Sequence, residues 1–63
     1  MYYYNVILKV IREKETVFLK YRNVNRLEKL FDLVESQGQR IDYVNLYNAR
    51  TKEKIRSYAY KKG

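Results

Sequence analysis

Apolar and polar residues alternate with a period of two over most of the chain. The segment from Tyr2 to Arg12 consists almost entirely of β-branched, aromatic and leucine residues, and the segment from Glu15 to Arg22 alternates in the same style. Both patterns predict β-strands, at about residues 2–12 and 15–22. Only Glu13 and Lys14 separate them, so we expect a hairpin with a two-residue turn, although this pair lacks the Gly or Asn that such turns prefer.

The period changes after Arg22. Apolar residues then recur at i, i+3, i+4 and i+7, which predicts an amphipathic helix at about residues 26–37: Leu27, Leu30, Phe31 and Val34. Asn25 can accept a backbone N–H of the first turn while Glu28 reaches back, which is a variant of the capping box. Gly38 suits the left-handed residue that ends a helix.

Two further alternating segments, at about residues 40–48 and 54–61, predict a second hairpin with a four-residue loop. If Asn48 pairs with Glu53, Val44 opposes Ser57 and Leu46 opposes Ile55 on the side that faces the helix. The opposite side then carries four pairs: Ile41 with Tyr60, Tyr43 with Tyr58, Asn45 with Arg56, and Tyr47 with Lys54.

The first hairpin has an equally definite register. Pairing Arg12 with Glu15 aligns the apolar residues of both strands on one side: Val10 with Val17, Leu8 with Leu19, and Val6 with Tyr21. The first strand is apolar on both sides, which is typical of a central strand.

Together these elements predict an α+β protein with the order ββαββ. We expect one domain over residues 1–63, with a four-stranded antiparallel sheet, one helix packed on one face and the other face open. The strand order 2-1-3-4 is our first choice, and 2-1-4-3 is the alternative.

Composition narrows the possible functions. The chain has 63 residues, is 46% hydrophobic and contains neither Cys nor His. A disulfide, a thiolate or imidazole metal site, a Cys nucleophile and a His general base are therefore excluded. Apolar runs are short, so we expect no signal peptide or membrane span and a cytoplasmic location. No motif indicates catalysis, a cofactor, a metal or a small-molecule substrate, and we expect that the protein is not an enzyme.

The open face is the candidate site, because the predicted registers gather charge of one sign there. It would carry five basic side chains, five tyrosines and no acid, whereas the helix flank carries Glu28, Asp32 and Glu35. With a net charge of +7, this surface predicts a polyanionic partner.

Rings interspersed with cations are how several small domains hold single-stranded DNA or RNA, since bases stack on the rings and cations neutralise phosphates. The predicted nucleic-acid-binding residues are Lys9, Lys20, Arg22, Tyr43, Tyr47, Lys54, Arg56, Tyr58 and Tyr60, with Tyr3 as a further ring. No RNP-type sequence supports this assignment.

A protein interface is the alternative for the same face, because apolar and aromatic residues are mixed there. Its predicted residues are Ile7, Ile11, Phe18, Ile41, Tyr43 and Tyr58. The partner would be an acidic protein or a second copy of the chain, and we expect a homodimer in either case.

Overall fold

A computed structural model describes residues 3–60 as a four-stranded sheet with one helix. The elements are β1 (Tyr4–Arg12), β2 (Glu15–Val24), α1 (Leu27–Ser36), β3 (Arg40–Asn48) and β4 (Lys54–Ala59). The strand order is β2-β1-β3-β4, and all neighbours are antiparallel. The α+β class, the ββαββ order and the first choice of strand order are confirmed. The predicted strand ends at Tyr2 and Lys61 lie outside the described residues.

The core lies between α1 and the centre of the sheet. Val6, Leu8 and Val10 of β1 are fully buried, because alternation points all three toward the helix. The other buried apolar residues come from α1 and β3: Leu30, Phe31, Val34, Ile41, Val44 and Leu46. Within residues 3–60, no helix is long and apolar enough to cross a bilayer.

The predicted register of the first hairpin is confirmed. Arg12 pairs with Glu15, and the apolar pairs follow in order to Val6 with Tyr21. The turn residues Glu13 and Lys14 have φ values of 49° and 76°. Two successive positive φ values are the signature of a type I′ turn, which favours Asn and Gly because other residues are strained there.

Replacing Glu13-Lys14 with Asn-Gly should therefore stabilise the protein. Relief of strain at the two positions is expected to raise the free energy of unfolding by about 1 kcal/mol, which corresponds to roughly 4–8 °C in Tm for a domain of this size. Thermal unfolding followed by circular dichroism measures the shift. Arg50→Gly is the control, because its loop position shows no positive φ and should gain nothing. A double variant that melts at or below the parent would contradict a strained turn.

The helix matches its prediction within one residue at each end, but its N-terminal cap differs. Arg26 occupies the N-cap position with an extended backbone, and its side chain makes no capping hydrogen bond. The capping box predicted at Asn25 is wrong, because Asn25 lies one residue before the cap. At the other end Gly38 has φ +83°, and its N–H donates to the carbonyl of Glu35 at 3.0 Å, which confirms the predicted termination.

The second hairpin closes as predicted. The Asn48 N–H donates to the Glu53 carbonyl at 2.8 Å across a four-residue loop. The side-chain Oδ1 of Asn48 accepts the N–H groups of Arg50 and Thr51, which holds the loop in place. The predicted pair of Tyr47 with Lys54 is also confirmed.

Beyond that pair, a β-bulge changes the register of β4. Leu46 opposes Arg56 and Tyr47 opposes Lys54, so Ile55 is an extra residue, and it is 51% exposed. One extra residue reverses the facing of every residue that follows. The predicted pairs of Val44 with Ser57 and Leu46 with Ile55 are therefore wrong, as are those of Tyr43 with Tyr58 and Asn45 with Arg56.

A second bulge interrupts β3 beside β1. Lys9 pairs with Tyr43 and Val10 with Ile41, so Asp42 is the extra residue. Ile41 consequently points toward the helix and is only 3% exposed. Its predicted position on the open face, paired with Tyr60, is wrong for this reason.

Candidate functional site on the open sheet face

We call the side of the sheet opposite α1 the open sheet face. Within residues 3–60, no second layer covers it, and the strand pairings define which side chains share it. Its principal residues are Asn5, Ile7, Lys9, Ile11, Thr16, Phe18, Lys20, Arg22, Arg40, Tyr43, Asn45, Tyr47, Lys54, Ser57 and Ala59.

One row across this face places a cation between two aromatic rings. Phe18 on β2 pairs with Lys9 on β1, and Lys9 pairs with Tyr43 on β3. Two strand spacings separate the backbones that carry the rings, or about 10 Å. Phe18 is 61% exposed and Tyr43 is 37% exposed, so both rings have surface available to a partner.

A parallel row lies at the other end of the face. Tyr47 pairs with Asn5 on one side and with Lys54 on the other. Arg22 follows Lys20 on β2 at the same end, where it and Asn23 oppose Asn5 in a third bulge. Tyr47 lies four residues from Tyr43 along β3, or about 13 Å. Each ring thus has basic neighbours and lies well separated from the next ring.

The centre of the face is polar and internally bonded. The Ser57 hydroxyl donates to Asn45 Oδ1 at 2.7 Å, and Asn45 Nδ2 donates to the carbonyl of Ile7 at 3.5 Å. The first of these contacts is short enough to be a good hydrogen bond, whereas the second is marginal. The Asn45 side chain thus contacts a side chain of β4 and the backbone of β1, which joins three strands between the two rows.

Five cations lie on the open sheet face: Lys9, Lys20, Arg22, Arg40 and Lys54. The prediction of no acid is wrong, because the bulge residue Asp42 brings its carboxylate to 3.7 Å from Lys9 Nζ. Both side chains are nearly half exposed, so this pair contributes less than about 1 kcal/mol in water. The open sheet face therefore keeps a net positive charge.

The rings of the open sheet face differ from those on the helix side in their contacts. The ring contacts found among residues 3–60 lie on the helix side, where Phe31 meets Tyr60 edge-to-face and Arg56 lies over the ring of Tyr58. The centroid distance of the first contact and the cation-to-centroid distance of the second are both 5.0 Å. Phe18 and Tyr43 take part in neither contact, and both are exposed.

Arg56, Tyr58 and Tyr60 were predicted to belong to the open face, and their placement there is wrong. The bulge at Ile55 turns them toward the helix, where Tyr58 and Tyr60 pack against the core. Tyr3 precedes β1 and is 47% exposed. The remaining predicted nucleic-acid-binding residues lie together as expected: Lys9, Lys20, Arg22, Tyr43, Tyr47 and Lys54.

Tyr60 is tied to the acidic flank of the helix. Its hydroxyl donates to Glu35 Oε1 at 3.2 Å. Burial raises the pKa of Tyr60, and the hydrogen bond to Glu35 and the negative charges of Glu35 and Asp32 add to the shift. The Tyr60 hydroxyl therefore stays protonated. Its hydrogen bond links the residue that follows β4 to α1, which is a structural role.

Arg40 is the basic residue of the site that sequence analysis missed. It pairs with Ile11 because the bulge at Asp42 reverses the facing of the start of β3. The spacing of the apolar residues in β3 could have predicted this bulge. The step from Ile41 to Val44 is three residues, which breaks the period of two that Val44 and Leu46 follow.

The described residues contain no cluster of three or more side chains that could hold a metal ion. Comparison of the chain with protein-family models, with curated proteins and with solved structures gave no match. The function must therefore be inferred from the geometry and charge of the open sheet face.

Proposed function

We propose that this protein binds single-stranded nucleic acid on the open sheet face. The observation that carries the proposal is a set of three rings on an uncovered sheet, the exposed Phe18 and Tyr43 and the half-buried Tyr47, each with a basic residue beside it. Bases stack on such rings in a way that tolerates any sequence, and Lys and Arg neutralise the phosphates between them.

The shape of the face favours a single strand over a duplex. Four strands span about 14 Å between the outer backbones, and the major groove of DNA, about 12 Å wide, admits only a helix or a two-stranded ribbon. Stacking on Phe18 or Tyr43 also requires an unpaired base whose face is exposed. A four-stranded sheet is therefore too wide to enter the groove of a duplex. Single-stranded DNA or RNA needs no groove contact and supplies the unpaired bases.

The cations have distinct roles in this proposal. Lys20, Arg22, Arg40 and Lys54 surround the rings and neutralise phosphates. Lys9 lies between Phe18 and Tyr43, but Asp42 offsets part of its charge. We therefore assign less of the phosphate affinity to Lys9 than to the others.

A salt titration of two matched lysine variants tests the proposal. Lys20 lies on the open sheet face and Lys29 on the helix, and both are exposed. Lys20→Ala should weaken binding of a fluorescently labelled mixed-sequence single strand and reduce the slope of log affinity against log salt by about 0.7. Lys29→Ala should leave both unchanged. Fluorescence anisotropy measures them.

Two outcomes would contradict nucleic-acid binding by this face. One is the absence of salt-dependent binding by the parent protein. The other is an equal effect of Lys20→Ala and Lys29→Ala, which would indicate attraction by net charge alone.

A protein interface on the same face is the second candidate, favoured by the 61% exposure of Phe18 next to the half-buried Ile7 and Ile11. An exposed aromatic residue among aliphatic ones is typical of partner surfaces. An acidic protein would suit the five cations better than a second open sheet face of the same sign. No oligonucleotide binding is expected in that case.

A further inference from the structure

The middle of the open sheet face is a row of residues without an aromatic ring. This central row crosses all four strands between the row that contains Tyr43 and the row that contains Tyr47. Its members, in order from β2 to β4, are Lys20, Ile7, Asn45 and Ser57. The last three are half-buried, so the central row is a shallow polar floor between the two rings of β3.

A single strand that is held by both Tyr43 and Tyr47 must cross the central row. The two residues are about 13 Å apart along β3, and Asn45 lies midway between them, about 7 Å from each. Neighbouring bases of a stacked strand are only about 3.4 Å apart. The bases on the two rings are therefore not stacked neighbours, and the part of the strand that joins them passes over Asn45 and Ser57.

The absence of charge at the centre suits a sugar better than a phosphate. Lys20 is the one cation of the central row, and it lies on β2, two strand spacings or about 10 Å from Asn45. The other nearby cations belong to the flanking rows, where Lys9 lies on one side and Lys54 on the other. Phosphates that are drawn toward these cations leave a sugar over Asn45 and Ser57.

Asn45 and Ser57 together have one hydrogen-bond donor and one acceptor to offer. The Ile7 carbonyl can only accept, so Nδ2 of Asn45 faces it and Oδ1 faces Ser57. Ser57 then uses its single hydrogen to donate to Oδ1. Within residues 3–60, no group pairs with the lone pairs that remain on Ser57 Oγ or with the second N–H of Asn45.

We propose that Asn45 and Ser57 make the open sheet face prefer RNA to single-stranded DNA by hydrogen bonding a ribose 2′-hydroxyl. The 2′-hydroxyl is both a donor and an acceptor, so it can donate to Ser57 Oγ and accept from Asn45 Nδ2. Deoxyribose has only C–H groups at this position and would leave both protein groups covered but unpaired, which costs affinity. This contact rests on the proposed function, because it specifies which single strand the face binds.

Oligouridylate and oligodeoxyuridylate of the same length test the contact, since they differ only in the 2′-hydroxyl. Fluorescence anisotropy of the labelled strands gives the ratio of their affinities, and we expect the parent protein to bind the ribose strand about fivefold more tightly. A third strand carries 2′-fluorine, which keeps an RNA-like sugar conformation but cannot donate. It should bind like the deoxyribose strand.

Three hydroxyl variants assign the preference to Ser57. Ser57→Ala should bring the affinity ratio close to one, whereas Ser57→Thr keeps the hydroxyl and should keep the preference. Thr16→Ala is the matched control, because Thr16 carries a hydroxyl on the same face but pairs with Ile11, outside the central row. It should leave the ratio unchanged. A variant that merely lowers the folded fraction weakens both strands equally and does not change the ratio.

Each possible failure has a separate meaning. Equal binding of the ribose and deoxyribose strands by the parent would overturn the RNA preference and leave the proposed function standing. A ratio that Ser57→Ala does not change, an equal loss for both strands, or tight binding of the 2′-fluoro strand would overturn the 2′-hydroxyl contact. Absence of salt-dependent binding of either strand would overturn the proposed function and the RNA preference with it.

Discussion

Leu8→Ala is expected to lower the free energy of unfolding by about 2–5 kcal/mol, as other truncations of buried leucines do. Leu8 is fully buried on the central strand, between Leu19 of β2 and Val44 of β3. Neighbours on both sides are fixed by backbone pairing, so they cannot collapse into the space that the removed atoms leave. A single core in a chain this short supplies only about 3–5 kcal/mol of net stability. The variant should therefore be largely unfolded at room temperature.

Urea unfolding followed by circular dichroism measures this loss. Ile55→Ala is the matched control, since Ile55 is an aliphatic residue of similar size that the β4 bulge leaves 51% exposed. Its truncation should change stability by less than about 0.5 kcal/mol. Equal unfolding midpoints for Leu8→Ala and the parent would mean that the helix does not cover this side of β1.

Replacing Tyr43 and Tyr47 together with alanine should weaken single-strand binding by about 30-fold or more. Each stacked base contributes about 1–3 kcal/mol, and 1.4 kcal/mol corresponds to a tenfold change in affinity. Both rings lie on β3 in the open sheet face, where they are separated by about 13 Å, so each can hold its own base.

The matched control for this pair replaces both tyrosines with phenylalanine. The rings remain and the hydroxyl groups are lost, so affinity should stay close to that of the parent if stacking is the source of the binding energy. Anisotropy with the same labelled oligonucleotide compares the variants. Unchanged binding in the double alanine variant would refute the stacking role, and a large loss in the phenylalanine variant would assign the energy to hydroxyl contacts instead.

The first hairpin and the helix could be predicted from sequence because each rests on an unbroken period. Seven consecutive residues of β1, from Val6 to Arg12, pair with β2 without interruption, and the two-residue turn fixes their register. The helix follows from a single apolar stripe that ends at Gly38. These features are local, so neighbouring residues determine them.

The second hairpin could be predicted only in part, because its two bulges are set by tertiary packing. Asp42 and Ile55 each add one residue, and neither is a Gly or otherwise typical of a bulge. Packing of the core accounts for both bulges. The bulge at Asp42 places Ile41 against the helix, and the bulge at Ile55 places Tyr58 opposite Val44 on the helix side. The candidate site changed accordingly, since it lost the side chains that face the helix and gained Arg40.

The central position of β1 has a consequence for synthesis of the chain on the ribosome. One edge of β1 pairs with β2, which emerges immediately after it, but the other edge pairs with β3, which emerges only after the whole helical segment. A two-stranded hairpin is marginally stable at best, and a bare apolar edge is a template for pairing with other chains. The interval before residues 40–48 leave the ribosome is therefore the period in which the nascent chain is most prone to aggregate.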